Sequence, residues 1–196
     1  MIAYVNGTLA YKDPAYAIID VNGVGYELRI SLQTYAALPE IGGRCKLVTY
    51  LNIREDAHVL FGFSAEREKY LFLDLVGVSG IGPATALVML SSLSHEEITR
   101  GIAEEDLRLI QSIKGIGLKT AQRVILELKD KMRKDTLVGA TADPGSGPGM
   151  SVRGEALAAL VTLGIPKATA EKSIDSIIKK EGSAITVEQL IKLALR

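Results

Sequence analysis

The chain has 196 residues, 47% of them apolar, with 23 basic and 23 acidic side chains and no formal net charge at neutral pH. That length can bury one sizeable core or several small ones, and the even charge balance leaves any nucleic-acid role to local patches rather than to a global field. The single cysteine, Cys45, excludes an internal disulfide and a cysteine metal cluster, and His58 and His95 stand far apart without ligand spacing, so neither a metal nor a cofactor is expected.

Residues 1–63 alternate like β-strands. Val24, Tyr26, Leu28 and Ile30 fall on one face, with Glu27 and Arg29 on the other. Asp13-Pro14 and Asn22-Gly23 are turn signals. Residues 44–53 and 58–63 predict two more strands joined by Arg54-Glu55-Asp56-Ala57, and a helical turn is expected near 32–38. About five short strands solve their edge problem by closing, or nearly closing, into a small barrel, for which an OB-fold is one candidate. Tyr4, Tyr11, Tyr16 and Tyr26 are expected as core or rim residues rather than as a base-stacking platform. The first basic residue is Lys12, so a signal-peptide leader is not expected and a cytoplasmic protein is.

Residues 64–134 predict helices. Residues 75–94 carry no charge, but three glycines, a proline and several hydroxyl residues make a membrane span unexpected. Ser94 with Glu97 fits a capping box. Within this region a nine-residue pattern occurs twice. Residues 78–86 read Val-Ser-Gly-Ile-Gly-Pro-Ala-Thr-Ala and residues 113–121 read Ile-Lys-Gly-Ile-Gly-Leu-Lys-Thr-Ala. The shared positions are Gly80/Gly115, Ile81/Ile116, Gly82/Gly117, Thr85/Thr120 and Ala86/Ala121. A helix, a tight Gly-Ile-Gly turn and a second helix make a helix-hairpin-helix motif. Glycine lets the backbone turn sharply and lets a phosphate approach. The following helix points unpaired amides and its positive dipole end at the turn. Ile81 and Ile116 should anchor the turns in the core. A P-loop does not fit, because Leu118 rather than glycine precedes Lys119-Thr120 and the leading glycine would fall on Ile113. A plain glycine turn between packed helices is the structural alternative.

Charge is distributed unevenly around these turns. Residues 111–134 hold Lys114, Lys119, Arg123, Lys129, Lys131, Arg133 and Lys134 against Glu127 and Asp130. Residues 94–106 hold Glu96, Glu97, Glu104, Glu105 and Asp106 against Arg100. A basic stripe starting at the second turn is enough for phosphate contacts, although its distal end, Lys129–Lys134, reads equally as a solvated helix face.

Residues 135–150 are rich in glycine and proline with almost no apolar anchor, and predict a flexible linker. Residues 151–196 predict three short helices. Leu157, Leu160 and Val161 share one face, Ile174, Ile177 and Ile178 a second, and Leu190, Ile191, Ala194 and Leu195 a third, with Thr186 and Gln189 as a capping box. So small a tethered domain suits capture of a partner better than catalysis.

The chain resembles the RuvA family of Holliday-junction recognition subunits. The resemblance rests on the opening Met-Ile, Asn22-Gly23-Val24-Gly25-Tyr26-Glu27, Arg54-Glu55-Asp56-Ala57, Phe61-Gly62-Phe63, both hairpins and Leu160-Val161-Thr162-Leu163-Gly164, in the family's order. It implies a multidomain α+β chain: an OB-like five-stranded β-barrel over 1–63, an all-α domain with two helix-hairpin-helix motifs over 64–134, a flexible linker over 135–150, and a small three-helix domain over 151–196. It implies a non-catalytic homotetramer, or an octamer, that holds four-way junction DNA open in recombination and repair of DNA damage under the SOS response. It also implies a third domain that binds the RuvB ATPase hexamer, with the RuvC resolvase as a further partner. By the same resemblance Glu55 and Asp56 form an acidic pin. Gly80, Gly82, Gly115, Gly117, Lys119 and Arg123 contact the DNA backbone, and Leu160, Leu163 and Ile165 meet the motor. The chain departs from the family at Ala84 and Leu118, where lysine is frequent, and at Ile165, where an aromatic is common.

Two other functions fit parts of the pattern. A DNA glycosylase-lyase of the endonuclease III type also places lysine in such a hairpin, and Lys119 stands at that position. That chemistry needs an activating Asp about one helix later, where only Asp135 is near, and often an iron–sulfur cluster needing four cysteines. A protein-interaction adaptor built on residues 151–196 would leave the duplicated turns without a role.

Overall fold

The computed structural model describes residues 1–139, 152–181 and 185–195, and the side chains of 1–133, 152–179 and 185–195. The chain divides into two compact units, Met1–Thr141 and Ala142–Arg196.

The first unit opens with strands β1 (Tyr4–Lys12), β2 (Tyr16–Val21) and β3 (Val24–Ile30), helix α1 (Leu32–Ala37), and strands β4 (Arg44–Ile53) and β5 (His58–Phe63). They close into a barrel of order β1-β2-β3-β5-β4, with β4 antiparallel to β1 and β3 parallel to β5. The expected OB-like five-stranded barrel is therefore present. Period-two alternation fills it: Val5, Leu9, Ala17, Ile19, Leu28, Ile30 and Leu47 are buried in one cluster. Val24, expected on the same face as Leu28 and Ile30, is exposed because it sits at the hairpin end of β3. Both turn signals act as read. Asn22 and Gly23 have φ of 54° and 89°, the two positive values that a two-residue type I′ hairpin requires. Asp13 Oδ1 accepts from the Ala15 and Tyr16 amides at 2.7 and 3.0 Å.

The second half of strand β5, Phe61–Phe63, is buried on both faces. A Cβ on Gly62 would come within 3.0 Å of Leu28 and Leu47 inside the barrel. Phe61 and Phe63 point the other way and join the helical core, with ring centroids 5.2 and 4.9 Å from Phe72. The barrel and the helices that follow thus share one body, although the sequence reads them as successive domains.

Those helices are α2 (Glu66–Gly77), α3 (Pro83–Ser92), α4 (His95–Ala103), α5 (Leu107–Gln111) and α6 (Leu118–Gly139). On α2, Glu68, Leu71, Phe72 and Leu75 form one buried stripe at helical spacing. The buried Glu68 carboxylate is satisfied across the barrel–helix junction. The Ser31 hydroxyl donates to one oxygen and Thr34 Oγ1 donates to the other at 2.6 Å. Ser31 also caps α1, and Thr34 Oγ1 accepts from the Ser64 amide at 2.9 Å. The Ser94–Glu97 capping box is formed as expected. Helix α6 runs to Gly139, past the start of the expected linker at 135, and residues 140–150 of that linker lie outside the described residues.

The second unit packs α7 (Val152–Thr162), α8 (Lys167–Glu181) and α9 (Val187–Ala194) around Ala156, Leu160, Ala170, Ile174 and Leu190. The expected three-helix domain is present, with Thr186 and Gln189 forming the capping box of α9. The apolar faces are narrower than their spacing suggested: Val161 and Leu195 are exposed. Helix α7 ends in a Schellman motif. Gly164 has φ 91°, its amide donates to Val161 O, and Ile165 N donates to Leu160 O, each at 3.0 Å.

Candidate nucleic-acid interface

The repeated nine residues fold into repeated turns. In the first, Ile81 N donates to Val78 O at 3.0 Å, closing a four-residue turn whose third residue, Gly80, has φ 95°. In the second, Ile116 N donates to Ile113 O at 3.1 Å with Gly115 at φ 89°. Positive φ at the third position is the requirement of a type II turn, and only glycine meets it without strain. Val78, Ile81 and Ala86 are buried, as are Ile113, Ile116 and Ala121, so each turn is pinned from both sides. The expected isoleucine anchors are therefore in the core.

The second glycine of each turn has a different status. Gly82 is the extended N-cap of α3, with φ −90° and ψ 169°, and no side-chain cap bond. A Cβ on Gly82 or Gly117 would meet no atom within 4 Å. Nothing inside the protein requires glycine there, and both residues are exposed. What a missing Cβ provides at such a place is access to the helix N-terminal amides from outside. Helix α3 continues from Pro83 at its first position, where proline's missing amide is harmless.

The cations around the turns fall into two groups. Three of the distal ones, Lys129, Lys131 and Arg133, face carboxylates within the unit, and the Lys134 side chain lies outside the described residues. Lys129 and Arg133 reach Glu105 Oε1 at 3.5 and 2.9 Å, and Lys131 pairs with Asp74. Arg133 Nε also donates to Ala103 O at 2.9 Å. Four carboxylates of the acidic stretch before the second turn are also engaged within the unit, while Glu104 is exposed. Glu97 and Asp106 cap helices, Glu96 pairs with Arg67 at 3.0 Å, and Glu105 holds Lys129 and Arg133 of α6 from a left-handed backbone at φ 60°. Among the described residues, Lys114, Lys119 and Arg123 make no ion pair, and all three are exposed. Among the described residues the basic stripe thus resolves into paired distal cations and unpaired ones at the turn. Arg123 has a neutral partner that its sequence position does not announce: Nη1 donates to Ser79 O of the first turn at 3.0 Å.

Glu55 and Asp56 lie exposed at the tip joining β4 and β5, where Arg54 N donates to Ala57 O at 2.9 Å. This tip and the first hairpin border one groove of about 670 Å³, with Arg54, Asp56 and Ala57 on one side and Pro83, Ala84 and Leu87 on the other. Leu32 and Val88 leave large apolar surfaces exposed along it.

In the second unit the three residues expected at a partner surface separate. Leu160 is 0% exposed and belongs to the core, so its side chain cannot touch a partner. Ile165 is half-buried, packed on that core just past the α7 Schellman turn. Leu163 is 62% exposed. Among the described residues no helix is long and apolar enough to cross a membrane, and no cluster of three metal-ligating side chains occurs.

Residues 1–62 match the family described as RuvA N terminal domain, residues 72–130 the SAM-like helix-hairpin-helix tandem, and residues 151–196 the RuvA C-terminal domain. Curated relatives match along the whole chain. A protein of Cytophaga hutchinsonii is 53% identical over 100% of this chain and 99% of its own. One of Amoebophilus asiaticus is 50% identical over 100% of both, and one of Geobacter sp. (strain M21) is 41% identical over 100% of this chain and 98% of its own. Each is named Holliday junction branch migration complex subunit RuvA. The lyase reading of Lys119 draws no support from these matches.

Proposed function

The chain belongs to the RuvA family, and on that premise we propose that it is the junction-binding subunit of a branch-migration complex, not itself an enzyme. It binds four-way DNA, holds the junction open and recruits the RuvB ATPase hexamer, which supplies the work of moving the arms. The observation that carries this reading is the pair of glycine turns with the same closing hydrogen bond and positive-φ glycine, each with an outward, Cβ-free approach to a helix N-terminus, and with Lys114, Lys119 and Arg123 exposed and outside any ion pair beside them.

Gly80, Gly82, Gly115 and Gly117 bring backbone amides to phosphates, and Lys119 and Arg123 add charge. Phosphates carry no sequence information, so the protein reads DNA shape rather than bases. Glu55 and Asp56 act by repulsion. A carboxylate brought close to a phosphate in water is unfavourable by roughly 1 kcal/mol, and by more where water is excluded. A pin of this kind discourages ordinary duplex and separates strands at the crossover. Four copies, or two such rings, surround the junction in this reading, and apolar surface such as that along the 670 Å³ groove would serve their assembly. The second unit carries the motor contact, with exposed Leu163 as its centre and Ile165 beside it. RuvC would join the same complex on the junction, and the setting is the cytoplasm, in recombination and SOS repair.

A gel shift comparing a four-way junction with linear duplex of equal length tests the reading. Junction should be retained at protein concentrations that leave duplex free, and equal retention would overturn it. The motor assignment has its own test. The fragment 1–146 should still bind junctions but fail to stimulate ATP-driven branch migration. A fragment that drives migration like the full chain would place the motor contact elsewhere.

A further inference from the structure

The two turns are alike in backbone and unlike in charge. Residues 113–121 carry Lys114 and Lys119, whereas residues 78–86 carry no charged side chain. At the equivalent positions, 35 residues earlier, stand Ser79 and Ala84. The first turn nevertheless has a cation beside it. Arg123, on the second turn of α6, reaches across and donates Nη1–H to Ser79 O at 3.0 Å. The crossing runs one way, because the equivalent of Arg123 on α3 is Val88, which has nothing to donate.

We infer that Arg123, although it follows the second hairpin in sequence, serves the first: it sets the spacing between the two turns and supplies the cation that the first turn lacks. This rests on the phosphate-reading function proposed above. A carbonyl partner fixes the guanidinium without cancelling its charge, and among the described residues no carboxylate pairs with it. One of five N–H donors is used, and the others project from a planar, rigid fork suited to a phosphate. The distal cations of α6 differ on this point, since each of Lys129, Lys131 and Arg133 faces a carboxylate. Lysine would not substitute fully at 123, because a compact ammonium on a flexible stem does not hold a plane against the Ser79 carbonyl.

The test is a coupling experiment between positions 84 and 123 in the full chain, read by titration of an immobile four-way junction at several salt concentrations. Arg123→Gln should weaken binding about tenfold, as expected for one charge-assisted contact, and lower the salt slope by about one. Ala84→Lys placed on Arg123→Gln should restore both, and should gain less in the wild-type chain, where the first turn already has its cation. Arg123→Lys should keep the salt slope but recover only part of the affinity. Equal gains from Ala84→Lys in both backgrounds would mean that the two positions act independently, and would overturn the inference. So would an Arg123→Lys variant that binds like wild type. If Arg123→Gln lowers the melting temperature, the same comparison made on Arg123→Lys decides. A wild-type chain that does not prefer the junction over linear duplex would overturn the function itself, and is told apart from the failure of Arg123 by that control.

Discussion

The turn at 78–82 and the turn at 113–117 have the same closing hydrogen bond, the same positive-φ glycine and the same buried isoleucine, yet only the second carries lysine. The shared part is what a backbone needs to form the turn and present its amides. The variable part is charge, which can come from inside the repeat, as Lys114 and Lys119 do, or from a neighbouring helix, as Arg123 does. In the proposed phosphate-binding role, shape and charge are then separable contributions, and substitutions can address them one at a time.

The largest effect is expected where shape itself fails. Gly80→Ala and Gly115→Ala each force a side chain into left-handed backbone, so each should destabilise the first unit by about 1–2 kcal/mol and lose most junction binding. Thermal melts by circular dichroism and junction titration read both, and variants that melt like wild type would contradict the strain. Gly82→Ala and Gly117→Ala sharpen the comparison, because their Cβ atoms meet nothing inside the protein. They should leave the melting temperature unchanged and weaken DNA binding alone. If they melt early, these glycines serve the fold rather than access from outside.

Smaller effects belong to charge. Lys119→Ala should weaken junctions of every sequence alike and reduce the salt slope by about one. A loss confined to some sequences would point to base contacts. Replacing Glu55 with Gln and Asp56 with Asn should improve duplex binding and narrow the preference for junctions. An unchanged junction-to-duplex ratio in that double variant would remove the pin from the account.

The smallest effect is a control that should spare both turns. In the second unit Arg153 donates to both Asp175 oxygens, at 2.8 and 3.0 Å, and these bonds hold the Asp175 carboxyl below its ordinary range. A depressed folded value means that the stabilisation is complete above the unfolded value and is lost as pH falls through the folded one. Asp175→Asn should therefore flatten the acid-side fall in stability of the second unit and leave junction binding unchanged. Loss of junction binding in this variant would show that the two units are not independent in function.

Local signals were readable in the sequence. Asn22-Gly23, the Ser94 and Thr186 capping boxes, the alternating strands and the two glycine turns each declare themselves within a few residues, and each forms as read. Long-range polar pairings were not readable. Glu105 with Arg133 spans 28 residues, Arg123 with Ser79 spans 44, and Asp74 with Lys131 spans 57, and no local pattern announces them. They decide which half of the basic stripe is available. Glu68 did leave a signal, a carboxylate in register with Leu71, Phe72 and Leu75 on an apolar stripe, which implies a buried partner without saying that Ser31 and Thr34 supply it. Leu160 and Leu163 looked alike in sequence. Three residues of helix rotation put one in the core, while the other lies just past the last turn of α7, in solvent.

Whether the two glycine turns hold DNA by its backbone at a four-way crossing is decided by titrating the full chain against two immobile junctions of unrelated sequence, with linear duplexes of matched length, over a range of salt. Backbone holding gives equal affinity for the two junctions, weaker binding to both duplexes, and a steep fall in affinity with salt. A junction affinity that follows sequence, or that barely responds to salt, would contradict it.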